Sequence, residues 1–304
     1  MNVRNLLSTL LVGCALATPA SGADKIQVVA TTPDLASIAR AVGGDTVEVT
    51  ALARPTEDPH FVDPKPSYIL RLNKADVLIE GGATLEAGWL PPLLDGARNP
   101  RIALGAPGRV VASQGISLLE VPAALDRSMG DVHPYGNPHY LLDPVNAQTV
   151  AQTIADALCG VDHDHCDGYE ARARQFRAAI DAKLPQWQSA LSGARGQKVV
   201  TYHKNFDYLA RRFGLDVVDT LEPKPGIPPS PTHLAELIPK MKAQGVRLII
   251  VEPNREQRSP EFVAEKTGAR VLLLPIMPGD GEAVDYIGLI DYDVQQLQGA
   301  LRPT

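Results

Sequence analysis

Three histidines stand where a side chain can be held out stiffly. They are His60 in Glu57-Asp58-Pro59-His60, His139 in Gly136-Asn137-Pro138-His139-Tyr140-Leu141-Leu142-Asp143-Pro144, and His203 in Val200-Thr201-Tyr202-His203. Proline precedes His60 and His139, which bars regular helix and central strand at those points. It also limits the entropy lost when the loop is ordered by a ligand. Imidazole is the commonest protein ligand for zinc and suits other first-row metals. A lone Pro-His pair reads as a surface turn, and His203 before Lys204-Asn205 reads equally well as the start of a helix. The recurrence of three such sites, each at the edge of an element, is what points to one metal ion shared by His60, His139 and His203. The compact zinc spacings are missing, with no His-Glu-x-x-His and no Cys-x-x-Cys pair. So are the Gly-x-Ser-x-Gly elbow, the phosphate-binding glycine loop and the dinucleotide fingerprint, so enzymes with local signatures lose ground.

The elements that must position these residues alternate. Asp24 to Thr32 reads as a strand and Thr32-Pro33 as a helix start, with Gly43-Gly44 as its stop. Val47 to Leu52 is a strand, Pro66 opens a helix, and Ala75 to Glu80 is a strand running into Gly81-Gly82. This is the grammar of a parallel α/β sheet. Trp89 to Leu94 reads as a short helix, 102–119 as short strands and turns, 122–136 as a loop, and Val145 to Leu158 as a helix. Gly168 to Ala194 is the longest helical pattern, and Pro185 is expected to kink it or to start its last segment. The second half repeats the grammar. Strands are expected at 198–202, 215–221, 246–251 and 270–274, and helices at 206–213, 232–244, 260–267 and 286–301, with a proline-rich loop over 222–231. The expected fold is α/β: two lobes with parallel-type sheets, 24–166 and 196–304, joined by a helix at 167–195. In such sheets ligands collect at the carboxyl ends of strands, which places the histidines in a cleft between the lobes.

The chain has 304 residues, and 44 % are hydrophobic, enough to bury cores. Its net charge of −6 argues against a nucleic-acid partner, which would need a basic face. Residues 1–23 read as an export signal: Arg4, an apolar run from Leu6 to Ala17, and small residues Ser21-Gly22-Ala23 before Asp24. No stretch is long enough to span a membrane. Leu11-Val12-Gly13-Cys14 resembles a lipobox, but its apolar run is very short, so ordinary cleavage and a periplasmic location are preferred over an anchor on Cys14. Export permits a disulfide between Cys159 and Cys166, whose intervening 160–165 can bend. Two free thiols or a sulfur ligand pair are the alternatives. Asp162-His163-Asp164-His165-Cys166-Asp167 reads as a solvated turn, with weak metal binding as its alternative.

Taken together, Asp58-Pro59-His60, the 136–144 stretch, Tyr202-His203-Lys204-Asn205-Phe206 and Pro229-Ser230-Pro231 before a helix resemble the metal receptors of bacterial ABC importers, the ZnuA/TroA type of solute-binding protein. The resemblance covers essentially the whole mature chain. It implies two lobes on one long rigid helix, His60, His139 and His203 as ligands in the cleft, a membrane permease as partner and a monomeric receptor without enzymatic turnover. Manganese receptors of this type carry a carboxylate where His203 stands, so the third histidine favours zinc over manganese, in accord with ligand softness. Members of that family commonly place an aspartate just after the last strand of the second lobe; in Leu274-Pro275-Ile276-Met277-Pro278-Gly279-Asp280 no acid stands at the strand end, and Asp280 lies a few residues late. Glu252 is therefore the preferred fourth ligand, ahead of Asp280 and water, with Glu222 a further candidate. A loop-anchoring carboxylate is the plainer role for Glu252. His133 is expected to orient His139, and His233 to be solvated. The competing functions are a periplasmic zinc hydrolase, using the three histidines with Glu252 as general base, and a surface adhesin.

Overall fold

The computed structural model describes residues 25–124, 130, 133–279 and 281–302. The export segment, Cys14 and Asp280 lie outside them.

Two four-stranded parallel sheets organise the chain. The first holds β1 (Ile26–Ala30), β2 (Val47–Ala51), β3 (Val77–Glu80) and β4 (Arg109–Val111) in the order β2-β1-β3-β4. The second holds β5 (Lys198–Thr201), β6 (Asp216–Thr220), β7 (Leu248–Val251) and β8 (Arg270–Leu273) in the order β6-β5-β7-β8. Both sheets therefore have the same topology. In each, the first strand has its successors on opposite sides, and the crevice outside its carboxyl end is where a ligand fits. Val28, Val29 and Ala30 of β1, and every residue of β7, are buried. Such continuous apolar runs are what a sheet covered on both faces requires.

Helix α1 (Pro33–Gly43) starts with Thr32 at the N-cap position and Pro33 at the first turn, and stops at Gly44 with φ 60°. Thr32 makes no side-chain cap bond to the helix backbone; its hydroxyl meets the Asp34 carboxylate instead. The first lobe continues with α2 (Pro66–Lys74), α3 (Leu90–Ala97) and α4 (Pro144–Val161). Helix α5 (Cys166–Ala190) follows, 25 residues long and so about 37 Å at 1.5 Å per residue. It runs continuously through Pro185, which removes one backbone donor without dividing the helix. Tyr169, Ala173, Phe176, Ile180 and Trp187 form its buried side. The second lobe adds α6 (Asp207–Phe213), α7 (Pro231–Gln244), α8 (Arg258–Thr267) and α9 (Tyr286–Leu301).

Helix α5 packs on α1 and α4 and also on α9. Asp291 of α9 accepts from Trp187 Nε1 at 2.7 Å and pairs with Lys183 Nζ at 2.7 Å. Tyr286 of α9 donates from its backbone N–H to Ser37 Oγ and from its hydroxyl to Leu141 O. Arg212 of α6 forks onto Asp143, the N-cap of α4, at 2.7 and 2.6 Å. One apolar core reaches across both sheets, from Val28 and Ile79 through Phe176 to Leu248 and Leu297. The lobes thus share packed side chains as well as a connecting helix.

A disulfide joins Cys159 and Cys166, which excludes the free thiols and the sulfur ligand pair. It ties the end of α4 to the start of α5. His165 beside it is exposed and bonds to Asp162 at 2.8 Å.

Candidate metal centre

All three candidate histidines leave the carboxyl ends of strands or the loops beside them. His60 lies in the loop after β2. There the Pro59 carbonyl accepts from Trp89 Nε1 at 2.9 Å, and Asp58 Oδ1 takes both the His60 backbone N–H and the Nδ1 side of its ring, at 3.0 and 2.8 Å. His139 follows Asn137, whose Oδ1 accepts the His139 backbone N–H at 2.9 Å while its amide donates to Lys204 O in the other lobe. Gly136 sits at φ 112°, and a Cβ there would lie 2.6 Å from Leu119 O, so only glycine fits the approach to this stretch. His203 follows β5 after Tyr202, and its Nδ1 meets Glu222 Oε2 at 2.7 Å.

These loops bring one ligand atom each of His60, His139 and His203 within 4.8 Å of one another. The three rings lie 5.0–5.4 Å apart between centroids, in edge-on arrangements. His139 Nε2 and His203 Nε2 are 3.3 Å apart. A tetrahedral zinc ion with Zn–N near 2.0–2.1 Å requires neighbouring nitrogens about 3.3–3.4 Å apart. Carboxylates accept only, so Asp58 and Glu222 draw the protons of His60 and His203 to Nδ1 and leave Nε2 with its lone pair. The donor set therefore fits a cation of zinc's size and softness.

The electrostatics agree. Burial, reinforced by His60 and His203, holds the His139 pKa well below the usual imidazole value, so it is a neutral donor. Burial, with the same two neighbours, lowers His133 to about 4. Burial alone would raise Asp58, but its hydrogen bond to His60 and the attraction of His60 and Arg255 hold it well below the carboxylate range.

The remaining sequence candidates take other places. Glu252 is completely buried after β7, is bonded to the Asn205 side-chain amide and has its Oε2 4.0 Å from Arg255 Nε. It is not among the three residues that share the 4.8 Å cluster. Its surroundings are those of a carboxylate that anchors the start of α6, and burial raises its pKa. Glu222 turns its Oε2 to His203 Nδ1. His133 does not reach back to orient His139. Its Nε2 faces His60 Nε2 at 3.1 Å and its Nδ1 faces Thr84 Oγ1 at 2.7 Å. His233 bonds through Nε2 to Thr220 O at 2.9 Å, so it braces a loop where solvation was expected. Arg255, between Asp58 and Glu222, carries no motif that sequence reading could have caught. The Asp58-x-His60 spacing is the one local signal for a histidine's carboxylate partner. A cavity of about 390 Å³ opens beside the cluster, walled by His133, His139, His203, Asn137 and Lys204. A larger one of about 900 Å³ lies between Glu80 and Leu90 and contains no histidine.

Comparison with known proteins shows the family to which the chain belongs. The family described as ZnuA, the periplasmic zinc-uptake complex component A, matches residues 28–300. A putative metal-binding protein of Treponema pallidum is 29 % identical over 301 residues, 94 % of this chain and 91 % of the relative. The zinc-binding lipoprotein AdcA of Streptococcus pneumoniae is 27 % identical over 278 residues, 89 % of this chain but 53 % of that longer protein. A crystal structure of ZnuA superposes with a TM-score of 0.76 at 26 % identity, covering 92 % of this chain and all of that one.

Proposed function

Because this chain belongs to the ZnuA family of periplasmic zinc-uptake components, we propose that it captures Zn²⁺ outside the inner membrane and hands it, as a monomer, to the permease of an ABC importer. His60, His139 and His203 are its ligands. The observation that carries this reading is the convergence of their ring nitrogens within 4.8 Å, from loops of both lobes. Zinc is favoured over manganese because the clustered donors are imidazoles, whereas manganese suits oxygen-rich sites. Zinc is cargo here, and the chemistry is coordination without turnover. The hydrolase alternative would need Glu252 as a general base, and that carboxylate is fully buried against Asn205.

The deciding measurement is native mass spectrometry of the purified chain before and after chelation, with zinc and manganese offered in competition. One tightly held zinc is expected, displaced by manganese only at large excess. His139→Ala should abolish tight binding. Stoichiometric zinc in that variant, or no metal in the wild type, would refute the proposal.

A further inference from the structure

We infer that His133 is a fourth zinc ligand, joining the ion beside His60 from the cavity side. This rests on the metal-receptor reading and gives the site a fourth imidazole where sequence reading placed a carboxylate.

The proton positions make the case. Thr84 Oγ1 has one proton and lies 2.6 Å from the Ala83 carbonyl, to which it donates. It therefore accepts from His133 Nδ1–H at 2.7 Å. A neutral imidazole has one donor nitrogen and one acceptor, so the Nε2 of His133 carries a lone pair. Asp58 imposes the same tautomer on His60. Two lone pairs then face each other at 3.1 Å, and no hydrogen bond can form between two acceptors. A cation between them resolves the conflict, and 3.1 Å is close to the edge of a zinc tetrahedron.

The support behind His133 is built rather than incidental. Thr84 follows Ala83 in a turn where both residues have positive φ, 67° and 50°, a conformation that side-chain-bearing residues rarely adopt. The turn is held by the buried Glu86, which accepts from Gly81 N–H, Gly82 N–H and the Thr31 hydroxyl at 2.6, 3.2 and 2.7 Å. Strained backbone of this kind persists where its surroundings over-determine it, and it clusters at ligand clamps. His133 touches His60 but is not one of the mutually close trio, and it walls the 390 Å³ cavity together with His139 and His203. To complete one tetrahedron its Nε2 must swing in toward His139 and His203 as the ion enters, and the cavity it walls with them leaves room for that rotation.

Zinc X-ray absorption, cobalt(II) absorption spectra and competition against a chelator test this on the full chain. Wild type should show four imidazoles around zinc and a four-coordinate cobalt spectrum. His133→Ala should still bind one zinc, with one imidazole fewer and an affinity lower by more than the roughly 10- to 100-fold that loss of an outer partner costs. Thr84→Val keeps the imidazole but loses its anchor, so its affinity should fall within that 10- to 100-fold range with the imidazole count unchanged. His133→Gln, close in size, serves if the alanine variant folds poorly. Three imidazoles in the wild type, or unchanged affinity and cobalt spectrum in both His133 variants, would overturn the inference while leaving the three-histidine site standing. A wild type that binds no metal would overturn both.

Discussion

Arg255 of the second lobe reaches Asp58 of the first, with Nη1 3.1 Å from Oδ2. The same nitrogen lies 3.5 Å from Glu222 Oε1. Asp58 holds His60 by Nδ1, and Glu222 holds His203 by Nδ1. One guanidinium therefore sits between the two carboxylates that orient two of the clustered histidines, one from each lobe. Its Cζ lies over the Tyr202 ring, 5.5 Å from the centroid, within cation–π range.

Arg255→Met should therefore weaken zinc binding although Arg255 touches no metal. The expected loss is about 10- to 100-fold, as for other outer partners of metal-bound histidines. Combining it with Asp58→Asn should cost less than the sum of the single changes, because the two residues share one interaction. Chelator competition on the four proteins gives the cycle. Strict additivity would mean the contact does no positioning.

Asp293 supplies a prediction about stability and pH. It is fully buried in α9, neither of its carboxylate oxygens has a hydrogen-bond partner, and burial raises its pKa well above the ordinary value. In the folded protein the acid keeps its proton where the unfolded chain has lost it. The folded state then binds more protons, and stability falls as pH rises above the unfolded value near 3.8. Asp293→Leu should stabilise the protein at pH 7 by about 1–3 kcal/mol, the usual cost of an unsatisfied buried polar group. The gain should shrink toward pH 4. Urea titrations at both pH values check this, and a destabilised variant at pH 7 would show that Asp293 has a stabilising partner.

The Cys159–Cys166 bond closes a short loop, with a sequence separation of 7. The chain-entropy relation assigns such a loop roughly 2.5 kcal/mol. Replacing both cysteines by serine should lower the urea midpoint accordingly and leave zinc stoichiometry as it was, since neither sulfur belongs to the histidine cluster. An unchanged midpoint would place the bond's effect elsewhere than in the unfolded chain.

The order of strands and helices was written in the sequence because local rules fix it. Thr32-Pro33 starts α1, Gly44 stops it, and the buried strands are short runs of β-branched and aliphatic residues. The three histidines were legible for a similar reason, since proline and strand ends mark where a rigid loop presents a side chain. The continuity of α5 through Pro185 was not legible. A proline's local cost is offset there by tertiary packing of Trp187 on one side and Ile180 on the other, which periodicity does not report.

The residues around the histidines depended on the tertiary structure. Glu252, Glu222 and Asp58 are all carboxylates near strand ends or in strand-end loops, and their spacing says nothing about which faces the histidine cluster. Distance assigned Asp58 and Glu222 to the Nδ1 atoms of His60 and His203, and burial assigned Glu252 to Asn205. His133 stands in a proline- and glycine-rich loop with no periodic pattern to direct it, 73 residues from His60. Sequence determined which imidazoles are held at the ends of rigid loops, because backbone restriction is local. Only the fold decided which of their nitrogens face one another, because that requires two sheets, joined by one helix, to bring loops together across the cleft.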